Sequence, residues 1–256
     1  MPHIEMDGRR LFYSHSQSHG NDLVLLLLHG AGGSHLIWPQ ALRQLPGHRV
    51  IALDLPGHGR SDGWGRRLVS HYAAAVMAFT QALNISEVIV IGHSLGGAIA
   101  LDLAYNFPET IRGLVGIGVA ARMRVGPALL QAWLKSPEKA TAFINSHGFF
   151  TGDIKLHNLN RAQFQAAGPV TTYGDFLACN HFDCRSSLVK VSVPALILSG
   201  SADRLIPPLY AEALATGLPR GRFTRLEAAG HYAMLERADE VASLVIDFIG
   251  EIGNRI

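Results

Sequence analysis

Short strand-like stretches rich in aliphatic residues recur along this chain, at positions 23–28, 50–53, 88–91, 111–119 and 195–199, and the first three are apolar throughout. A run that is apolar at every position has no solvent face, so a strand built from it must be covered on both sides. The runs alternate with helix-like stretches near 36–45, 70–83 and 98–105, and a last helix follows Met234-Leu235-Glu236. That alternation predicts an α/β fold with a mostly parallel central sheet of about eight strands and helices on both faces. Residues 4–6 and 11–14 flank Asp7-Gly8-Arg9 and read as an N-terminal hairpin. Parallel sheets of this kind bind ligands beyond the carboxyl ends of their strands.

Composition narrows the function classes. With 256 residues, 48% of them hydrophobic and 16% charged, the chain supports a large core and is not disordered. A net charge of +2, with no run of lysine or arginine, argues against nucleic acid as a partner. Arg60, Arg66 and Arg67 are scattered about a glycine-rich loop and are expected in solvent. The apolar runs are too short to span a bilayer, and the opening Met1-Pro2-His3-Ile4-Glu5-Met6-Asp7-Gly8 lacks the pattern of a secretory signal. A cytoplasmic protein, monomeric or homodimeric and without membrane insertion, is the expectation. Cys179 and Cys184 are then free thiols. Cys179, His181, Asp183 and Cys184 lack the second ligand cluster that a metal site would need.

The chemistry concentrates in Gly92-His93-Ser94-Leu95-Gly96-Gly97. One serine stands between two glycines, after a strand-like run and before a helix-like one, which is the context of a nucleophile elbow. So tight a turn strains the serine backbone and leaves no room for side chains two positions either side. A serine hydroxyl needs a histidine base, and that histidine needs a carboxylate to fix its tautomer. Two further strand patterns supply both: residues 195–199 lead into Gly200-Ser201-Ala202-Asp203, and residues 222–226 lead into Ala228-Ala229-Gly230-His231. Ser94, Asp203 and His231 are therefore the candidate catalytic residues.

Five segments in order carry a family resemblance: His29-Gly30-Ala31-Gly32-Gly33, Asp54-Leu55-Pro56-Gly57-His58-Gly59-Arg60-Ser61, the elbow, the stretch from Val193-Pro194 to Asp203, and Gly230-His231 with Met234-Leu235-Glu236. The chain resembles the α/β-hydrolase fold superfamily, in its serine esterase and lipase-like branch, over nearly its whole length. The resemblance implies an oxyanion hole made by the backbone N–H groups of Leu95 and Ala31. It implies a helical cap at 122–189, inserted before the acid-bearing strand, on a core of 1–121 and 190–256. Most of the cap aromatics, Trp133, Phe143, Phe149, Phe150, Phe164, Tyr173, Phe176 and Phe182, are expected to pack within the cap, and a minority to face Ser94. His93 is expected to point away from Ser94 and to pack or hydrogen-bond below the sheet, His29 to brace the oxyanion loop, and Ser34 and His35 to line the substrate mouth. Asp54 and the turn Pro56-Gly57-His58-Gly59 are expected to be structural, with Asp54 the formal rival of Asp203. Glu236 is expected to satisfy donors near a helix N-terminus.

The implied activity is hydrolysis of small carboxylic esters through an acyl-enzyme, with no metal or organic cofactor. Serine at position 94 argues against the haloalkane dehalogenase and epoxide hydrolase branches, whose nucleophile is aspartate. Carbon–carbon bond, thioester or amide hydrolysis and cofactor-free perhydrolysis use the same triad and stay open. A slow-turnover ligand receptor and a protein-interaction scaffold are the readings outside enzymology.

Overall fold

The computed structural model describes residues 2–6, 8–16 and 23–253. Eight strands form one sheet: β1 (His3–Met6), β2 (Arg9–His15), β3 (Val24–Leu28), β4 (Arg49–Leu53), β5 (Val88–His93), β6 (Ile111–Ile117), β7 (Ala195–Gly200) and β8 (Gly221–Leu226). Their order is β1-β2-β4-β3-β5-β6-β7-β8. The first two strands are antiparallel, and β3 to β8 run parallel. The hairpin pairs Met6 with Arg9, so Arg9 belongs to the strand, while Asp7 lies outside the described residues.

The apolar runs explain the layering. In β3, Leu25 and Leu27 enter one core and Leu26 and Leu28 the other, all fully buried. In β5, Ile89 and Ile91 divide from Val88 and Val90 in the same way. Side chains alternate across a strand, so each run feeds both layers. One face is covered by α2 (Val69–Ala82), α3 (Leu95–Asn106) and α7 (Pro208–Gly217), and the other by α1 (Gln40–Arg43) and α9 (Ala238–Gly253). Helix α9 shows its cause in sequence: Val241, Val245, Phe248, Ile249 and Ile252 recur at helical spacing and are buried.

One predicted helix is shorter than expected. The stretch 36–45 breaks into a single 3-10 turn, His35–Ile37, and the one-turn α1. Pro39 causes the break, because the residue before a proline avoids helical geometry and Trp38 is extended at φ −83°, ψ 124°. The last helix follows Met234-Leu235-Glu236 as expected: those residues form the short α8 (Ala233–Glu236), and Arg237 separates it from α9.

Between neighbouring strands β6 and β7 the chain departs into α4 (Pro127–Lys135), α5 (Pro137–Gly148) and α6 (Ile154–His181). Helix α6 is interrupted at Gly168, φ 76°, ψ 161°, ahead of Pro169. The strand order also fixes where a site can form. From β3 the chain passes to β4 on one side and then to β5 on the other, so β3 and β5 flank a topological switch point. The loop after β3 and the turn after β5 therefore meet.

Candidate active site

Ser94 sits between β5 and α3 at φ 51°, ψ −111°, the strained backbone expected of a nucleophile elbow. The flanking glycines are required by contact. A Cβ on Gly92 would collide with the backbone of Gly96, and one on Gly96 with the carbonyl of Leu28. The Leu95 amide opens helix α3, whose first-turn N–H groups have no partner within the helix. Gly30 lies against the same turn: a Cβ there would stand 3.3 Å from Ser94 Cβ. Gly30, Ala31, Ser94 and His231 line one cavity of about 980 Å³.

Asp203 and His231 come together at the ends of β7 and β8. His231 Nδ1 donates to Asp203 Oδ2 at 2.8 Å, and both residues are buried. The second carboxylate oxygen accepts the N–H groups of Leu205 and Ile206 at 2.9 and 2.8 Å, which fixes its plane. With Nδ1 protonated, the Nε2 lone pair of His231 is free to act as a base. The histidine backbone is held as well, its N–H donating to the Gly148 carbonyl at 2.7 Å. Glu236 accepts from Gly230 N–H at 2.7 Å beside it, and from the N–H groups of Phe150 and Thr151, both at 2.9 Å. It sits in the short α8 and joins the His231 loop to the α5–α6 connection, a longer reach than the local role expected of it.

His93 departs from expectation. It lines the cavity, and its ring lies 4.8 Å from that of His231. Its Nε2–H donates to the His231 carbonyl at 3.1 Å, so Nδ1 carries a lone pair. Burial, and then the neighbouring His231, hold its pKa well below the ordinary histidine value. Ser34 and His35 also differ, because both are buried outside the cavity lining. Ser34 Oγ donates to Gln163 Oε1 at 2.5 Å, and His35 is bound through N–H and Nδ1 to Asp54 at 2.6 and 2.9 Å. The side chain of Asp54 thus has its own histidine and a further N–H from Arg60 at 2.9 Å, away from the cavity.

His29 braces the loop that it precedes. Its Nε2 accepts the Leu55 N–H at 3.1 Å, and its Nδ1–H donates to the Gly30 carbonyl at 2.8 Å. That arrangement needs a neutral ring, and burial lowers its pKa to about 4. An unfolded histidine titrates near 6.5, so between 6.5 and 4 the unfolded chain binds a proton that the native site refuses. The contribution of His29 to stability therefore falls as pH falls through that window. Between pH 7 and 4.5 the His29→Gln variant should lose about 2 kcal/mol less unfolding free energy than the parent, read from urea titrations at both pH values.

Of the eight aromatics singled out between residues 122 and 189, Phe143, Phe164 and Phe176 line the cavity. Trp133 is buried against Phe164 and Phe176, at ring distances of 4.8 and 5.4 Å, and Phe149 stacks on Tyr232 at 4.5 Å. Both cysteines are free, and burial pushes the Cys184 thiol up to about 12. Among the described residues, no cluster of three metal-binding side chains occurs, and no helix is long and apolar enough to cross a membrane.

An eight-stranded, mostly parallel sheet with a strained serine at the switch point defines the α/β-hydrolase class. The chain belongs to the alpha/beta hydrolase family, whose pattern it matches over residues 25–244. It is similar to the 2-hydroxymuconate semialdehyde hydrolase of Pseudomonas putida, 29% identical over 91% of this chain and 89% of that protein. It is similar also to the pimeloyl-[acyl-carrier protein] methyl ester esterase of Aromatoleum aromaticum, 28% identical over 88% of this chain and 97% of the other. Among solved structures, a thermophilic esterase superposes with a TM-score of 0.85 at 28% identity, covering 98% of each chain.

Proposed function

We propose that this protein is a serine hydrolase that cleaves small carboxylic esters through an acyl-enzyme. One observation carries the reading: a strained Ser94 faces the same cavity as His231, whose Nδ1–H is held by the buried Asp203. His231 Nε2 takes the Ser94 proton as the oxygen attacks the ester carbonyl. The N–H groups of Ala31 and Leu95 hold the resulting oxyanion. The imidazolium, stabilised by Asp203, protonates the leaving alcohol, and water activated by the same histidine releases the acid. No step needs a metal or an organic cofactor. Residues 122–189 act as a cap that roofs the cavity and sets specificity. Incubation with a fluorophosphonate and peptide mass mapping tests the reading. A stoichiometric adduct on Ser94 is expected, and an unmodified Ser94 would overturn it.

The cavity charge narrows the substrate class. Arg122, Arg124, Lys139, Arg185 and Arg204 contribute to its lining, and no carboxylate does among the described residues. Asp183 lies just outside and pairs with Arg185 at 2.7 Å and Arg122 at 3.5 Å, so the local balance stays positive. The remaining wall is largely aliphatic and aromatic. This pattern suits an ester whose acyl or alcohol part ends in an anion. Monoesters of dicarboxylic acids should show kcat/KM about tenfold above neutral esters of equal length at low salt, and the gap should narrow as salt is added. Equal values across the panel would remove the anionic preference and leave ester hydrolysis standing.

A further inference from the structure

The loop Gly30–Ser34 is held from above by helix α6. Ser34 bonds to Gln163, and the ring of Phe164 presses on Gly32 so closely that any Cβ at this left-handed position, φ 63°, would collide with it. Asp175, 143 residues further along the chain, accepts the Gly32 N–H on Oδ2 at 2.8 Å. The same oxygen receives His58 Nε2 at 2.8 Å, and Oδ1 receives the Tyr72 hydroxyl. Tyr72 accepts in turn from Arg66 N–H at 2.8 Å, and His58 Nδ1 donates to the Pro56 carbonyl at 3.1 Å. Asp175, His58 and Tyr72 are all buried.

Both ring nitrogens of His58 face acceptors, so the ring carries two protons and pairs with the carboxylate as an imidazolium. Burying such a pair carries a large desolvation cost before its Coulomb gain, and packed apolar side chains would serve stability as well. What they could not supply is an acceptor for the Gly32 amide. That amide is one peptide from the Ala31 N–H. A bare carboxylate so near the oxyanion would oppose its formation, and His58 cancels that field.

We propose that Asp175, with His58 as its counter-ion, is a positioning residue: it fixes the Ala31–Gly32 peptide so that the Ala31 N–H meets the oxyanion. The proposal rests on the hydrolytic reading above. It gives the second half of α6 a part in the catalytic scaffold in addition to its place in the cap.

The test replaces the pair with apolar residues, as His58→Leu/Asp175→Leu, alongside Asp175→Asn. Rates with p-nitrophenyl butyrate are normalised to sites titrated by fluorophosphonate, and affinity for a trifluoromethyl ketone is measured in parallel. The double variant should lose about 10²-fold in kcat, with KM within about threefold and ketone affinity falling alongside kcat/KM. Asp175→Asn keeps an oxygen acceptor but loses the charge, and should lose about tenfold in kcat. A merely structural pair would lower the melting temperature and leave the per-site kcat and ketone affinity intact. If whichever variant folds keeps its per-site kcat within twofold of the parent, positioning by Asp175 is overturned and ester hydrolysis stands. If the parent itself shows no adduct on Ser94, both fall.

Discussion

Ser94→Ala is expected to lower turnover of a short p-nitrophenyl ester by at least about 10³-fold while the fold survives. The size follows from the position. No other hydroxyl replaces one held at a strained turn, and what remains is the contribution of the oxyanion donors and of binding. Alanine relieves backbone strain no further than serine does, and the elbow packing depends on Gly92 and Gly96, so the melting temperature should change little. Near-parental turnover in this variant, with the circular dichroism spectrum unchanged, would remove Ser94 as nucleophile.

The second large effect separates two carboxylates. Asp203→Asn should cost about 10⁴-fold, because an amide facing His231 Nδ1 favours the wrong tautomer and cannot stabilise the imidazolium. Asp54→Asn should cost far less in kcat. Asp54 is bound to His35, and neither residue reaches the cavity. Burial works against its charge, but the bonds from His35 and Arg60 prevail and hold its pKa below the ordinary carboxylate value. Its loss should therefore appear in the urea midpoint. If steady-state rates with site titration show Asp54→Asn to be the damaging change, the acid has been assigned to the wrong loop.

Much of the architecture was legible because it is written locally. Runs such as Val24–Leu28 and Val88–His93 are apolar at nearly every position, and only a doubly covered sheet accommodates that. The elbow was legible for a steric reason, since two glycines at fixed offsets from a serine describe one turn. Asp203 and His231 could be paired because each follows one of two strand patterns, and those strands, β7 and β8, are neighbours. The misses concern contacts between distant segments. His35 was expected at the mouth and is instead bound to Asp54, a partner that spacing does not reveal. His93 was sent below the sheet, but β5 ends on it, and its ring turns towards His231. Asp175, His58 and Tyr72 are not legible as a unit because Asp175 lies 117 residues from His58 and 103 from Tyr72. One signal was present: Tyr173-Gly174-Asp175-Phe176-Leu177-Ala178-Cys179 places a lone carboxylate in an otherwise uncharged helical stretch.

Helix α4 meets this web only through Trp133, which packs on Phe164 and Phe176 of α6 among the ring contacts of the described residues. It gives the cavity Ala128, Leu129 and Ala132, walls of carbon without a polar atom among their side chains. Exchanging them for larger or smaller aliphatics would reshape the chamber without touching Ser94, Asp203 or His231. A chamber bounded on that side by three exchangeable carbon side chains can change its shape one residue at a time.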